Sequence, residues 1–102
     1  MKGNDEIIAV LQEVLSAELT AVNQYFIHAR MNENWGYKKL AAYVRKESIE
    51  EMQHAQQVID RILYFDGIPN MQRLSPIRIG ENPVEQHKLD LAVETEAVNR
   101  LN

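Results

Sequence analysis

Cysteine does not occur among the 102 residues, which removes disulfide frameworks, zinc ribbons and thiol chemistry together. A basic excess is missing too: eleven Lys and Arg stand against fifteen Asp and Glu, for a net charge of −4. Nucleic acid and anionic membranes require clustered cations, so neither is an expected partner. Long hydrophobic runs are also lacking. The longest, Ile7 to Leu11, is five residues, against roughly 20 for a bilayer span. Met1 to Glu6 does not have the apolar segment of a secretory signal. A soluble, cytoplasmic protein is the expectation. Glycine and proline are scarce, four and three, and the places where they fall divide the chain.

Hydrophobic residues make up 45% and charged residues 25%, the balance of one packed domain rather than of a disordered chain. Between Asn4 and Trp35 there is no Gly or Pro. Positions 8, 11, 15, 18, 22, 25 and 29 read Ile, Leu, Leu, Glu, Val, Tyr and Ala, the threes and fours that line one helix face. Asn4 or Asp5 caps this helix and Gly36 stops it. The second helix starts near Tyr37 and ends at Phe65-Asp66-Gly67-Ile68-Pro69, a glycine stop followed by proline. Its stripe is Leu40, Val44, Glu47, Glu51, His54, Val58 and Phe65, with Arg61 or Ile62 between the last two. Asn82-Pro83-Val84-Glu85 restarts a helix, with Asn as cap, Pro in the first turn and Glu at the capping-box position. The third stripe is Val84, His87, Leu91, Glu94, Val98 and Leu101.

The stretch from Asp66 to Glu81 has no helical period. About 16 residues at up to roughly 3.3–3.6 Å each can return the full length of a helix of about 40 Å. It therefore reads as a long crossover that sets helices two and three parallel, as in ferritin-like bundles. The expected fold is all-α, a ferritin-like four-helix bundle formed as one incomplete domain over residues 1–102. This chain supplies helix one (about 5–35), helix two (about 37–65), the crossover (about 66–82) and the start of helix three (about 83–102).

Chemistry enters where acids interrupt the apolar stripes. Glu18, Glu51 and Glu94 fall on the seams of three different helices, and His54 stands three residues after Glu51. A carboxylate buried alone costs several kcal/mol, so it must be paired, protonated or bound to a cation. Di-iron carboxylate bundles use one Glu from each of two helices and Glu-x-x-His from the others. Glu51-Met52-Gln53-His54 has that form, with both ligands on one face by the i, i+3 spacing. A lone Glu-x-x-His is a weak signal; the seam placement of Glu18 and Glu94 strengthens it. Two readings of Tyr25 stand, a core tyrosine with a satisfied hydroxyl or a redox neighbour of metals. Glu47 pairs equally well with Arg30 and is left outside the ligand set.

The sequence resembles the bacterioferritins, the haem-containing branch of the ferritins. The resemblance is carried by Met1-Lys2-Gly3, Ala21-Val22-Asn23-Gln24-Tyr25-Phe26, His28-Ala29-Arg30-Met31 and Asn34-Trp35-Gly36-Tyr37. Glu47-Ser48-Ile49-Glu50-Glu51-Met52-Gln53-His54-Ala55, Arg61-Ile62-Leu63 and Gly67-Ile68-Pro69-Asn70 carry it further. It implies iron storage and detoxification: Fe(II) is oxidised by oxygen or peroxide at Glu18, Glu51, His54 and Glu94, with Glu51 and Glu94 bridging two irons. It implies a cytoplasmic cage of twenty-four subunits holding ferric mineral, with a reductant partner as a further implication.

On spacing alone Met52 is an apolar interface residue, on a stripe with Ser48, Ala55, Ile59 and Ile62. The resemblance instead implies that Met52 ligates haem b, shared with a second Met52 on a two-fold axis. Leu19, Asn23 and Phe26 share an outward stripe on helix one and are expected to wall the same pocket. Two departures stand out. Lys46 and Glu50 occupy positions where relatives often carry His and Asp for an inner-surface iron site, and Lys46 does not suit a cation. The second Glu-x-x-His is also missing from these residues. That leaves three readings: a fragment of a longer subunit, a second polypeptide that completes the site, or two copies that pair. It also keeps open a haem-bridged helical dimer or interaction module without catalysis.

Overall fold

The computed structural model describes residues 4–72 and 74–101, with side chains on the last helix described up to Glu96. Three helices follow in order: α1 (Asp5–Asn34), α2 (Lys38–Tyr64) and α3 (Pro83–Leu101). Among the described residues there is no strand, and no helix is long and apolar enough to cross a membrane. Asn4 caps α1 by accepting the Glu6 N–H at 2.7 Å, and Asn82 caps α3 by accepting the Glu85 N–H at 2.9 Å. Gly36 turns the chain between α1 and α2 at φ +88°, a conformation that costs glycine little. At the end of α2 it is Asp66, not Gly67, that takes the left-handed conformation, at φ 59°. A short polar side chain tolerates that region too.

α1 is the centre of the fold. It packs against both other helices, while α2 and α3 do not approach each other closely. Residue pairings run in opposite directions on both sides: Ser48 meets Val22 and Ala55 meets Leu15 on α2, while Gln86 meets Asn32 and Asp90 meets Gln24 on α3. Both partners are thus antiparallel to α1 and parallel to each other, the arrangement that the long crossover requires. The α1–α2 core is apolar, with Leu15, Ala55 and Ile62 buried and Leu11, Leu19, Val58 and Ile59 packed around them. Burying each large side chain contributes about 1.5–3 kcal/mol. A second cluster joins Ala21, Tyr25 and Ala29 of α1 to Val44 of α2 and Val93 of α3.

Two stripes face differently from the sequence expectation. On α2 the residues buried against α1 are Ala41, Val44, Ser48, Ala55 and Ile62, so Ser48, Ala55 and Ile62 belong to the core face. Of the expected stripe, Leu40 and Glu47 instead line a groove between α2 and α3, while Glu51 faces Glu18 of α1. Among the described side chains of α3, Gln86 and Val93 are buried, whereas Val84 and Leu91 are exposed. Helical period locates an apolar line without saying which neighbour it meets. The side chains of Val98 and Leu101 lie outside the described residues.

The crossover is held by α1 side chains spaced eight and then four residues apart. Gln12 donates to the Ile68 carbonyl at 3.1 Å and accepts the Asn70 N–H at 3.0 Å. Thr20 accepts the Ser75 N–H at 3.2 Å, Gln24 the Arg78 N–H at 2.9 Å, and His28 Nε2 the Gly80 N–H at 3.0 Å. An irregular segment must satisfy its backbone groups somewhere, and here the facing helix does so. At Gly80 the chain presses on α3 so closely that a Cβ would stand 2.6 Å from the Gln86 nitrogen.

Candidate metal centre

Glu18 stands on α1 one turn after Leu15, and Glu51 and His54 stand one turn apart on α2, beside Ala55. The burial of Leu15 against Ala55 brings these two helix faces together. Glu18, Glu51 and His54 each offer a ligand atom within 4.8 Å of the others. His54 Nδ1 lies 3.5 Å from Glu51 Oε2 and 3.8 Å from Glu18 Oε2. The carboxylate side chains are only 15% and 19% exposed, while the imidazole is 57% exposed. Glu18 Oε2 is buried and has no hydrogen-bond partner, which leaves an acceptor costly to bury.

The electrostatics follow from that geometry. Burial pushes the Glu51 carboxyl up to about 8, helped by its hydrogen bond with Glu18 and the charges of Glu18 and Glu94, with His54 opposing. Without a cation the pair retains a proton at neutral pH, because two desolvated carboxylates disfavour double ionisation. A divalent cation would relieve that repulsion, and carboxylate oxygen with imidazole nitrogen is a donor set suited to iron.

Glu94 on α3 stands outside this three-residue cluster. Its Oε1 accepts a short hydrogen bond from the Tyr25 hydroxyl, yet it is near enough to raise Glu51. Tyr25 is 1% exposed. Burial first, then the hydrogen bond and charge of Glu94, push its phenol far above the ordinary value, so it stays a donor. That geometry is the satisfied core hydroxyl, the first of the two readings above. Glu47 lines the groove between α2 and α3 with Tyr25, Val44, Leu91 and Glu94, around a cavity of about 80 Å³. Burial raises its pKa, with Asp90, Glu94 and Glu50 adding and His87 opposing. Lys46 lies 4.0 Å from Glu50 as an exposed pair.

A second group of polar residues escaped sequence reasoning. His28 is fully buried, and its Nδ1 lies 2.9 Å from Asp90 Oδ1. Gln24 Nε2 donates to the same oxygen at 2.9 Å. Asn32 donates to Gln86 at 2.8 Å, and Gln86 donates to the Gly80 carbonyl at 3.1 Å. The available signal was a row of uncharged polar residues, Thr20, Gln24, His28 and Asn32, at strict i, i+4 spacing.

The outward face of the α1–α2 pair bears the candidate haem residues. Met52 is 55% and Phe26 52% exposed, Asn23 is exposed, and Leu19 is half-buried against the core. Phe26 lines a groove with Ala29, Arg30, Ala41 and Arg45. Arg45, Ile49 and Met52 continue along α2 at helical spacing, and Leu19, Asn23, Phe26 and Arg30 do so along α1. An exposed thioether on a face that also carries an exposed aromatic ring suits a planar apolar group with a soft-liganded iron. The residues present fit haem.

The family model for the ferritin-like domain of the ferritins matches residues 8–102. Bacterioferritin BfrA of Mycobacterium tuberculosis is 50% identical, and its solved structure superposes with a TM-score of 0.97 over 99% of this chain and 64% of that one. A bacterioferritin structure from Rhodobacter capsulatus has 49% identity and a TM-score of 0.96, covering 98% of this chain and 62% of that one. That structure is described with a metal-free dinuclear site and haem iron in a crystallographic special position. Bacterioferritin of Streptomyces coelicolor is 50% identical over 99% of this chain and 60% of its own length. The chain spans about 64% of the length of the mycobacterial relatives it matches.

Proposed function

This chain belongs to the ferritin family, and from that premise we propose that it serves iron storage and detoxification by oxidising ferrous iron, as a bacterioferritin-like subunit. Ferrous ions are the substrate. Glu18, Glu51, His54 and Glu94 receive them, with Glu51 and Glu94 between the two ions. The observation that carries this reading is the close approach of Glu18, Glu51 and His54 with Glu18 Oε2 unpartnered. A desolvated acid pair is poorly stable by itself and well matched to cations.

The residues have separable tasks. Glu51 and Glu18 give up their retained proton as iron arrives, since carboxylate ligands bind deprotonated. His54, half-exposed at the rim, contributes nitrogen without added negative charge. Tyr25 holds one oxygen of Glu94 through its hydrogen bond. Each ferrous ion yields one electron, so two of them, with two protons, take dioxygen to peroxide or peroxide to water. The ferric product then enters a mineral inside an oligomeric cage of twenty-four subunits. Met52, with Leu19, Asn23 and Phe26 as pocket walls, would hold haem b together with a second copy of the chain, and the bound haem would supply one-electron transfer from a reductant for iron release. Cytoplasmic residence accords with that chemistry.

The test is aerobic addition of ferrous salt, followed by the growth of ferric-oxo absorbance. His54→Ala and Glu51→Ala abolish the fast phase while helical content stays near that of the parent. Parental rates in both variants would remove the ligand assignment.

A further inference from the structure

α3 is fixed to α1 mainly by polar contacts. Val93 is its one buried hydrophobic residue among those described, and a single apolar contact does little to stop a helix sliding. Directional hydrogen bonds do stop it. Asn32 reaches Gln86, Gln24 and His28 reach Asp90, and Tyr25 reaches Glu94. The middle rung is the strongest by chemistry, because one ionised carboxylate oxygen takes two contacts at 2.9 Å each and charge-assisted bonds are stronger than neutral ones. The far sides of its two partners are also engaged. His28 Nε2 accepts the Gly80 N–H and Gln24 Oε1 accepts the Arg78 N–H. With Nε2 accepting from Gly80, Nδ1 is the nitrogen left to donate to Asp90, so the two contacts fix the ring in one orientation.

We infer that Asp90 is a positioning residue for the iron site: clamped by Gln24 and His28, it sets the axial register of α3 so that Glu94, one turn further on, meets Tyr25 at the edge of the Glu18–Glu51–His54 cluster, near enough for its charge to act on Glu51. The inference rests on Glu94 being an iron ligand. Asp90 itself touches none of Glu18, Glu51 or His54 among the contacts of the structure and acts through the helix. A slip of α3 by one turn would carry Glu94 about 5.4 Å along the axis, beyond hydrogen-bond reach of Tyr25. Partners that orient metal ligands at one remove typically set metal affinity by 10–100-fold.

Cobalt(II) is the probe, because it binds the same oxygen and nitrogen donors as ferrous iron, does not oxidise on mixing and reports its coordination by visible absorption. Two variants separate geometry from charge. Asp90→Asn removes the charge and keeps an acceptor at the same place, and it binds cobalt(II) within about twofold of the parent with the parental spectrum. Asp90→Glu keeps the charge and lengthens the arm by one methylene, and it weakens binding about tenfold with an altered spectrum and unchanged helical content. In a Glu94→Ala background, Asp90→Glu has no further effect. The inference is overturned if Asp90→Glu binds like the parent, if Asp90→Asn weakens binding as much as Asp90→Glu, or if the Asp90→Glu effect persists without Glu94. Glu94→Ala alone distinguishes the two levels. Weakened binding there, with Asp90→Glu at parental affinity, defeats the positioning role and leaves the function standing; parental binding in Glu94→Ala removes Glu94 from the ligand set and the positioning role with it, while the function falls only with parental rates in His54→Ala and Glu51→Ala.

Discussion

The two faces of α1 solve the same problem with opposite chemistry. Towards α2 it presents Leu15 with Leu11 and Leu19 around it, and the polar contacts that cross are Ser48 donating to the Val22 carbonyl and the Glu18–Glu51 hydrogen bond beside His54. Towards α3 and the crossover it presents Gln12, Thr20, Gln24, His28 and Asn32, with Val93 as the buried apolar contact on α3. Apolar area gives adhesion that tolerates sliding and repacking. Hydrogen bonds give little net energy each, about 0.5–1.5 kcal/mol, but fail when displaced by an ångström. The α1–α2 face therefore contributes most of the stability, and the α1–α3 face determines alignment.

The strongest way to break this contrast is Leu15→Ala. The side chain is fully buried, so truncation costs about 2–5 kcal/mol, read as a shift in the denaturation midpoint. Loss should be global, with hydrogen exchange accelerating in all three helices. A global loss below about 1 kcal/mol would place the main stability elsewhere.

His28→Leu gives the opposite pattern. It removes the acceptor of the Gly80 N–H and one partner of Asp90, and stranding a buried polar group costs about 1–3 kcal/mol. The effect is local. Exchange accelerates over residues 78–96, while the α1–α2 amides keep their protection. Equal acceleration of α2 would mean that the two faces are not separable.

A third test sharpens the contrast through pH. Glu51, on the α1–α2 side, has a carboxyl raised from 4.5 to about 8. Between those values the folded chain holds more proton than the unfolded one, so metal-free stability declines as pH rises from about 4.5 towards 8. The contribution is complete below the unfolded value and lost above the folded one. Glu51→Gln flattens that slope, in denaturation midpoints collected at several pH values without metal. An unchanged slope in the variant assigns the dependence to another group.

Which parts were legible in the sequence follows from the same contrast. Capping by Asn4 and Asn82, the turn at Gly36 and the parallel setting of α2 and α3 depend on local residues and on loop length, and each left a mark. Glu18, Glu51 and His54 stood out because an acid interrupting an apolar line is conspicuous. The facing of α2 and α3 was not legible, since Leu40, Leu91 and Val84 show a period but no indication of which neighbour each meets. The polar row on α1 was overlooked because uncharged polar residues at i, i+4 look like a solvated surface. Only the facing backbone shows that His28 and Asn32 are inside. Tyr25 and Glu94 were visible as members of two stripes, but their meeting depends on the register of α3.

The polar row also governs where length variation is tolerated. One residue inserted within α1 between Thr20 and Gln24 would turn everything on one side of it by about 100° relative to the other. Gln12 and Thr20 would then point away from a thread that Gln24 and His28 still grip. Between the fastening points of the crossover, its described residues make no hydrogen bond to α1. Asn70 and Ser75, held by Gln12 and Thr20, are joined by four residues that can be lengthened without moving either anchor. The irregular segment is the permissive one, and the long helix beneath it, though regular and continuous, admits no change in residue number.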